Sequence, residues 1–224
     1  MKWSASALKP YCAYANVLSK DRVRSPRSQA ALDKGTMFHA AVELWCKGGQ
    51  FPEVNDMEVQ GWLDLLRMQW TPPFAQLWIE VAWGLMPEMR HCHVNEPRPH
   101  VYERSNGLPD LLTAGRADAA WIEGATLRAV DWKTGAYPVA PARENLQALA
   151  GCIALADRFG AAYYQPGIYY ARDGAWDWGE PMAVGSPDDR AAVKAAAELD
   201  ETPRPGPHCG GCWERRDCAH AEAA

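Results

Sequence analysis

Val130-Asp131-Trp132-Lys133-Thr134-Gly135 is the stretch on which the fold of this chain turns. It closes a run, Leu127 to Lys133, whose β-branched and apolar residues read as a strand. Successive strand side chains point to opposite faces, so Asp131 and Lys133 share one face and Trp132 turns to the other, toward the expected core. A second strand, Ala114 to Ile122, precedes it and carries Gly115-Arg116-Ala117-Asp118. Glu123-Gly124 supplies the turn between the two. Paired as a hairpin, they bring Asp118 and Asp131 toward one point.

Two carboxylates and a lysine form a set suited to phosphodiester hydrolysis. The carboxylates hold Mg²⁺ or Mn²⁺, hard ions that prefer oxygen ligands. Such an ion lowers the pKa of its water and screens the phosphate. The lysine orients that water or stabilises developing charge. A D-x-K triplet taken alone is more often a surface ion pair on a strand. Its weight here comes from what surrounds it in order.

Upstream, Leu77 to Trp83 reads as a strand with Glu80 in the middle of an apolar run. A lone buried carboxylate is costly unless paired or metal-bound, so Glu80 is a third acidic candidate. Further upstream, Ser28 to Trp45 has apolar residues at helical spacing and carries His39, with Glu43 one turn later. Ser4 and Ser6 are read as N-caps of a short helix that holds Leu8 and Tyr11. A helix over Met57 to Trp70 stops at Pro72-Pro73. Met86 to Pro109 has no clear period and reads as a long excursion.

Downstream come a helix over Glu144 to Phe159 with Gln147 in its first turn, strands at Gln165 to Ala171 and Ala175 to Val184, and an Ala-rich helix over Asp188 to Glu198. Helices, a strand meander, a helix and more strands predict an α/β fold with a mixed central sheet flanked by helices.

The whole composition is compatible with this. The 224 residues suit one compact domain, and 23% charged residues exclude compositional disorder. No apolar run is long enough for a membrane span. Met1-Lys2-Trp3-Ser4 lacks a signal-peptide layout, which points to the cytoplasm, where thiols stay reduced. A net charge of −5 argues against a protein that coats nucleic acid but not against a nuclease, whose catalytic carboxylates contribute to it.

The ordered string Gly35-Thr36-Met37-Phe38-His39, Gly115-Arg116-Ala117-Asp118, Asp131-Trp132-Lys133-Thr134-Gly135 and Gln147 resembles the RecB-like nucleases of the PD-(D/E)XK superfamily. The resemblance implies a restriction-endonuclease-like core. It implies metal ligation by His39, Asp118, Asp131 and the Trp132 carbonyl, with Glu80 at a further acidic position. Lys133 becomes the catalytic lysine, and Gln147 helps place substrate or lysine. The literal pair Pro109-Asp110 is the alternative to Asp118, but it lies in a turn-like segment. Relatives often carry Tyr four residues after the Gln, where this chain has Gly151.

Seven cysteines occur, and Cys209, Cys212 and Cys218 form C-x2-C-x5-C. With Cys12 as a distant fourth, the pattern is similar to iron–sulfur nucleases such as the AddB-type repair enzymes and the CRISPR-associated exonucleases. That implies a [4Fe–4S] cluster joining the two chain ends. A zinc knuckle using His208 or His220, or free thiols, is the alternative reading. Cys46 and Cys152 read as core residues, and Cys92, in His91-Cys92-His93, could bind adventitious metal.

The expectation is therefore a single nuclease domain over residues 1–224. It has a helical part at 1–75, a catalytic sheet core at 76–185, and a C-terminal helix with the cysteine cluster at 186–224. The expected substrate is DNA, single-stranded or with a free end, and the reaction depends on Mg²⁺ or Mn²⁺. The alternative is a non-catalytic DNA-binding or assembly subunit that keeps the fold. Arg22, Arg24, Arg27, Arg215 and Arg216 are candidates for a DNA-facing patch. Homo-oligomers and protein partners in a phage, repair or CRISPR pathway stay open.

Overall fold

The computed structural model describes residues 3–4, 8, 25–98, 101–104, 111–136, 139–199, 202, 204 and 218, with backbone alone at 3–4, 95–98 and 101–104. The first helix, α1 (Pro26–Gly48), starts where the Ser25 side chain accepts the Ser28 N–H and Pro26 occupies the first turn. It ends at Gly49, whose φ of 69° is the left-handed cap that glycine adopts freely. Helix α2 (Met57–Gln69) is capped by Asp56, which accepts the Glu58 and Val59 N–H groups.

Strands β2 (Leu77–Leu85), β6 (Thr113–Glu123) and β7 (Thr126–Lys133) form the antiparallel centre of an eight-stranded sheet. The turn between β6 and β7 is at Glu123 to Thr126, as the sequence predicts. Helix α3 (Leu146–Phe159) then crosses over so that β8 (Tyr163–Tyr170) lies parallel to β7. The sheet is mixed, as expected. Strand β9 (Ala175–Trp178) pairs with β8, as does β10 (Met182–Ala183), and α4 (Pro187–Glu198) follows. With β3 (His91–Cys92) beside β2, the order across the sheet is β10-β8-β7-β6-β2-β3.

Helices α1 and α2 cover one face of the sheet and α3 and α4 the other, each over its own core. The α1–α2 core is rich in indoles. Trp70 touches Trp45, Trp121, Trp132 and Trp176 at ring separations of 5.5 to 6.5 Å. Trp176 in turn stacks on Trp178. Trp62, Trp83 and Trp121 are buried, as their periodic settings predicted.

Trp3–Ser4 is strand β1, parallel to β6 at Thr113 and Ala114. The short helix expected after Ser4 and Ser6, with Tyr11, lies outside the described residues. Two expectations are corrected. The excursion after Met86 contains β3 on the sheet edge and a separate hairpin of β4 (Val94–Arg98) and β5 (Val101–Arg104). The predicted strand over Ala175 to Val184 is two strands. Pro181, which has no N–H to give a ladder, lies in the break.

The alternation of β2 also departs from a simple period of two. Glu80 has φ 52°, left-handed and strained for a residue with a Cβ. Leu77 and Ile79 pack with the α1–α2 core, whereas Val81, Trp83 and Leu85 pack with the α3–α4 core. The opposite strand changes phase at the facing position: Ala119 and Trp121 belong to the α1–α2 core, and Ala117 to the other. Register is kept on both sides, with Ile79 opposite Ala119 and Val81 opposite Ala117. Glu80 and Asp118 are therefore the facing residues at which both strands invert their pleat.

Candidate metal centre

The ladder between β6 and β7 runs from Glu123↔Thr126 to Ala119↔Val130 and stops. Beyond it β6 stays paired with β2, and β7 stays paired with β8 to Lys133. The two central strands thus part at Asp118 and Asp131. In the gap the Asp118 carboxylate accepts the Trp132 backbone N–H at 2.7 Å, taking the place of a ladder acceptor.

Helix α1 closes the gap from one side. His39 Nε2 donates to the Trp132 carbonyl at 3.1 Å, and Nδ1 lies 3.5 Å from Asp118 Oδ1. Gly35, one turn earlier, permits the approach of the loop after β7. A Cβ there would sit 2.7 Å from Thr134 Oγ1. Arg172 Nε holds the same loop by donating to the Thr134 carbonyl at 2.8 Å.

His39, Glu80 and Asp118 each offer a ligand atom, and these atoms all lie within 4.8 Å of one another. Lys133 forms an ion pair with Asp131. Gln147, on the first turn of α3, reaches Asp131 Oδ1 at 3.4 Å, a long contact. Asn145 places that turn by capping α3 through the Ala148 N–H.

The electrostatics suit a cation. Burial raises the Asp131 carboxyl above the usual range, and nearby Asp118 adds to this against the pull of Lys133. Burial lifts Glu80 to about 7, helped by Asp118 and opposed by Arg116. Asp118 goes the other way. Burial works against its charge, but His39 and the Trp132 N–H outweigh it and hold it low. Burial also disfavours the His39 imidazolium, yet the field of Asp118, Asp131 and Glu80 raises it to about 9. Glu80 Oε2 lies 2.6 Å from Arg116 Nε, and Asp131 Oδ2 lies against Lys133, yet neither oxygen receives an aligned hydrogen bond. Buried carboxylates gathered beside an imidazole, with cationic side chains against two of their oxygens, are a fitting donor set for a divalent ion.

The gap thus gathers His39, Glu80, Asp118, Asp131, the Trp132 carbonyl, Lys133 and Gln147, all named from the sequence. Arg116, paired with Glu80, was passed over there because only the Gly and Asp of its motif carried weight. Cys12, Cys209, Cys212, His208, His220 and Asp110 lie outside the described residues, as do Arg22, Arg24, Arg215 and Arg216. Cys218 is half-buried and forms no disulfide among the described residues. Cys92 is buried, with Sγ turned to Gly84 and packed beside Leu111 and Ala114.

An α/β sheet covered on both faces, with acids and a lysine where two central strands part, defines a class. The sequence matches the PD-(D/E)XK nuclease superfamily over residues 2–219, and the chain belongs to that superfamily. Its nucleases use divalent metals. No curated protein matches the chain. Among the described residues, no helix is long and apolar enough to cross a membrane.

Proposed function

We propose that this chain is a RecB-like deoxyribonuclease that hydrolyses phosphodiester bonds with Mg²⁺ or Mn²⁺, acting as an exonuclease on DNA with a single-stranded end. The observation that carries this reading is the convergence of His39, Glu80 and Asp118 within 4.8 Å, beside the Lys133–Asp131 pair. His39, Asp118, Asp131 and the Trp132 carbonyl would hold the ion, with Glu80 as a further ligand. Bound there, a divalent ion supplies a water of lowered pKa and charge to offset the phosphate.

The chain's own groups do the rest. Lys133 stays protonated: burial opposes its charge, but Asp131 and Asp118 raise its pKa. It can therefore donate to a phosphate oxygen or orient a water. Gln147 fixes the Asp131 carboxylate from the α3 side. Trp132, buried against Tyr169 and Trp176, anchors the backbone between the two site residues that flank it.

The same reading, over a single domain, includes a [4Fe–4S] cluster on Cys12, Cys209, Cys212 and Cys218. Its support is that Cys46, Cys92 and Cys152 are each buried in a different apolar core, which leaves those four. Iron and sulfide analysis of anaerobically purified protein separates this from zinc.

The test is cleavage of end-labelled single- and double-stranded DNA in Mg²⁺ or Mn²⁺. Asp131→Ala and Lys133→Ala should abolish it. Undiminished cleavage by purified Asp131→Ala refutes the assignment.

A further inference from the structure

The backbone that leaves Lys133 is held by the two residues that follow β8. Ala171 N–H donates to the Lys133 carbonyl at 2.9 Å, and Arg172 Nε donates to the Thr134 carbonyl at 2.8 Å. The first is a ladder bond open to any residue with a backbone N–H. The second depends on the arginine side chain.

Arg172 is itself fixed from two further sides. Its Nη1 donates to Glu58 Oε1 at 3.0 Å, and its guanidinium carbon lies 4.8 Å from the centre of a Trp62 ring. Glu58, in the first turn of α2, accepts from Lys34 Nζ of α1 at 2.6 Å through its other oxygen. Lys34 adjoins Gly35, against which Thr134 packs. A planar guanidinium makes all three contacts of Arg172 at once, with its edges on a carbonyl and a carboxylate and its face on an indole. An ammonium is a point charge without that plane.

The side chains of Arg172 and Glu58 are 32% and 42% exposed, and an ion pair so open to solvent adds little to fold stability. Its use lies in what it holds. We propose that Arg172 is a positioning residue for Lys133. It fixes the backbone one residue beyond the lysine and ties it, through Glu58 and Lys34, to α1, the helix that carries His39. The inference rests on the nuclease reading and deepens it. Arg172 touches neither substrate nor metal in this account. It sets where the Lys133 amine stands relative to the reacting phosphate, and a misplacement of about 1 Å at such a group can slow a reaction ~100-fold.

The experiment separates the chemical step from binding. Single-turnover cleavage of end-labelled DNA at saturating protein is followed in Mg²⁺ or Mn²⁺. The Kd for the same DNA is measured by fluorescence anisotropy in Ca²⁺, a hard cation that oxygen ligands accept. Arg172→Gln should slow single-turnover cleavage at least tenfold with Kd within twofold of wild type. Arg172→Lys keeps the charge without the plane and should recover only part of the rate. A merely structural role would lower the denaturation midpoint and leave the rate of the folded protein unchanged. Folded Arg172→Gln that cleaves within twofold of wild type, or that loses activity through Kd alone, overturns the proposal. If Arg172→Gln does not fold, Glu58→Gln decides, because it keeps Arg172 and removes the charge that anchors it. Slower cleavage at unchanged Kd then supports the proposal, and cleavage within twofold of wild type overturns it. A wild-type chain that cleaves no DNA overturns the nuclease reading, and the positioning role with it.

Discussion

The carboxylate of Asp118 accepts the backbone N–H of Trp132 at 2.7 Å, where the β6–β7 ladder has ended. One side chain therefore does two jobs: it completes the backbone hydrogen bonding of β7 and it contributes negative charge to the proposed metal centre. Asn at this position can still accept the N–H but has lost the charge. Asp118→Asn should keep the fold and lose cleavage by ~100-fold or more. Asp118→Ala leaves a buried N–H unpaired and should also lose about 1–3 kcal/mol of stability. Chemical denaturation in chelator, alongside a cleavage assay, separates the two effects.

Glu80 sits at φ 52°, where a side chain is strained and glycine is not. Glu80→Gly should raise stability by about 1 kcal/mol while lowering activity, because the strain goes together with the proposed ligand. Glu80→Val, β-branched in the same backbone state, should destabilise the fold. Thermal melts of the three proteins check the order Gly, Glu, Val.

Gly35 admits Thr134 Oγ1 where a Cβ would be 2.7 Å away. Gly35→Ala should push α1 off the loop that follows Lys133 and reduce turnover. Thr134→Ala removes the colliding oxygen, so the double variant should recover most of the loss. Additive losses in the double-mutant cycle would contradict this packing account.

His91 is depressed to about 4, first by burial, then by His93 and Arg158. Its ordinary value is near 6.5, so between pH 6.5 and 4 the unfolded chain binds more protons than the folded one. The stability held above pH 6.5 should therefore fall as pH drops through that window. His91→Asn should flatten the dependence, measured as denaturation midpoints from pH 4 to 7.

Cys46, Cys92 and Cys152 are buried, and burial raises the Cys46 thiol to about 12 and pushes Cys152 up as well. Native alkylation should spare all three. Once the proposed cluster is stripped by oxidant and chelator, Cys12, Cys209, Cys212 and Cys218 should react. Mass-mapped labelling reads the pattern directly.

The β6–β7 hairpin was legible because its polar residues obey the strand period around a buried Trp132. Helices α1 and α2 were legible because apolar spacing and a Gly or Pro stop agree, and α4 because alanine dominates it. The inversion at Glu80 and Asp118 was not, because a backbone dihedral leaves no mark on an apolar run such as Leu77 to Trp83. The one hint was a carboxylate in the middle of it.

Trp83 illustrates the other failure. Its setting correctly predicted burial, but periodicity says nothing about whether an indole N–H finds an acceptor. Gly151 had registered only as a missing tyrosine, and its close packing on Trp83 needed the α3–β2 contact. β1 went unread because two residues carry too little pattern to mark a strand.

The indole chain centred on Trp70 has a spectroscopic consequence. Its rings are close enough for excitation to pass among Trp45, Trp70, Trp121, Trp132, Trp176 and Trp178 before light is emitted. Emission from this group then behaves as one shared reporter for the seating of α1 and α2 on the sheet. Trp83 lies in the opposite core and stands apart from this shared emission.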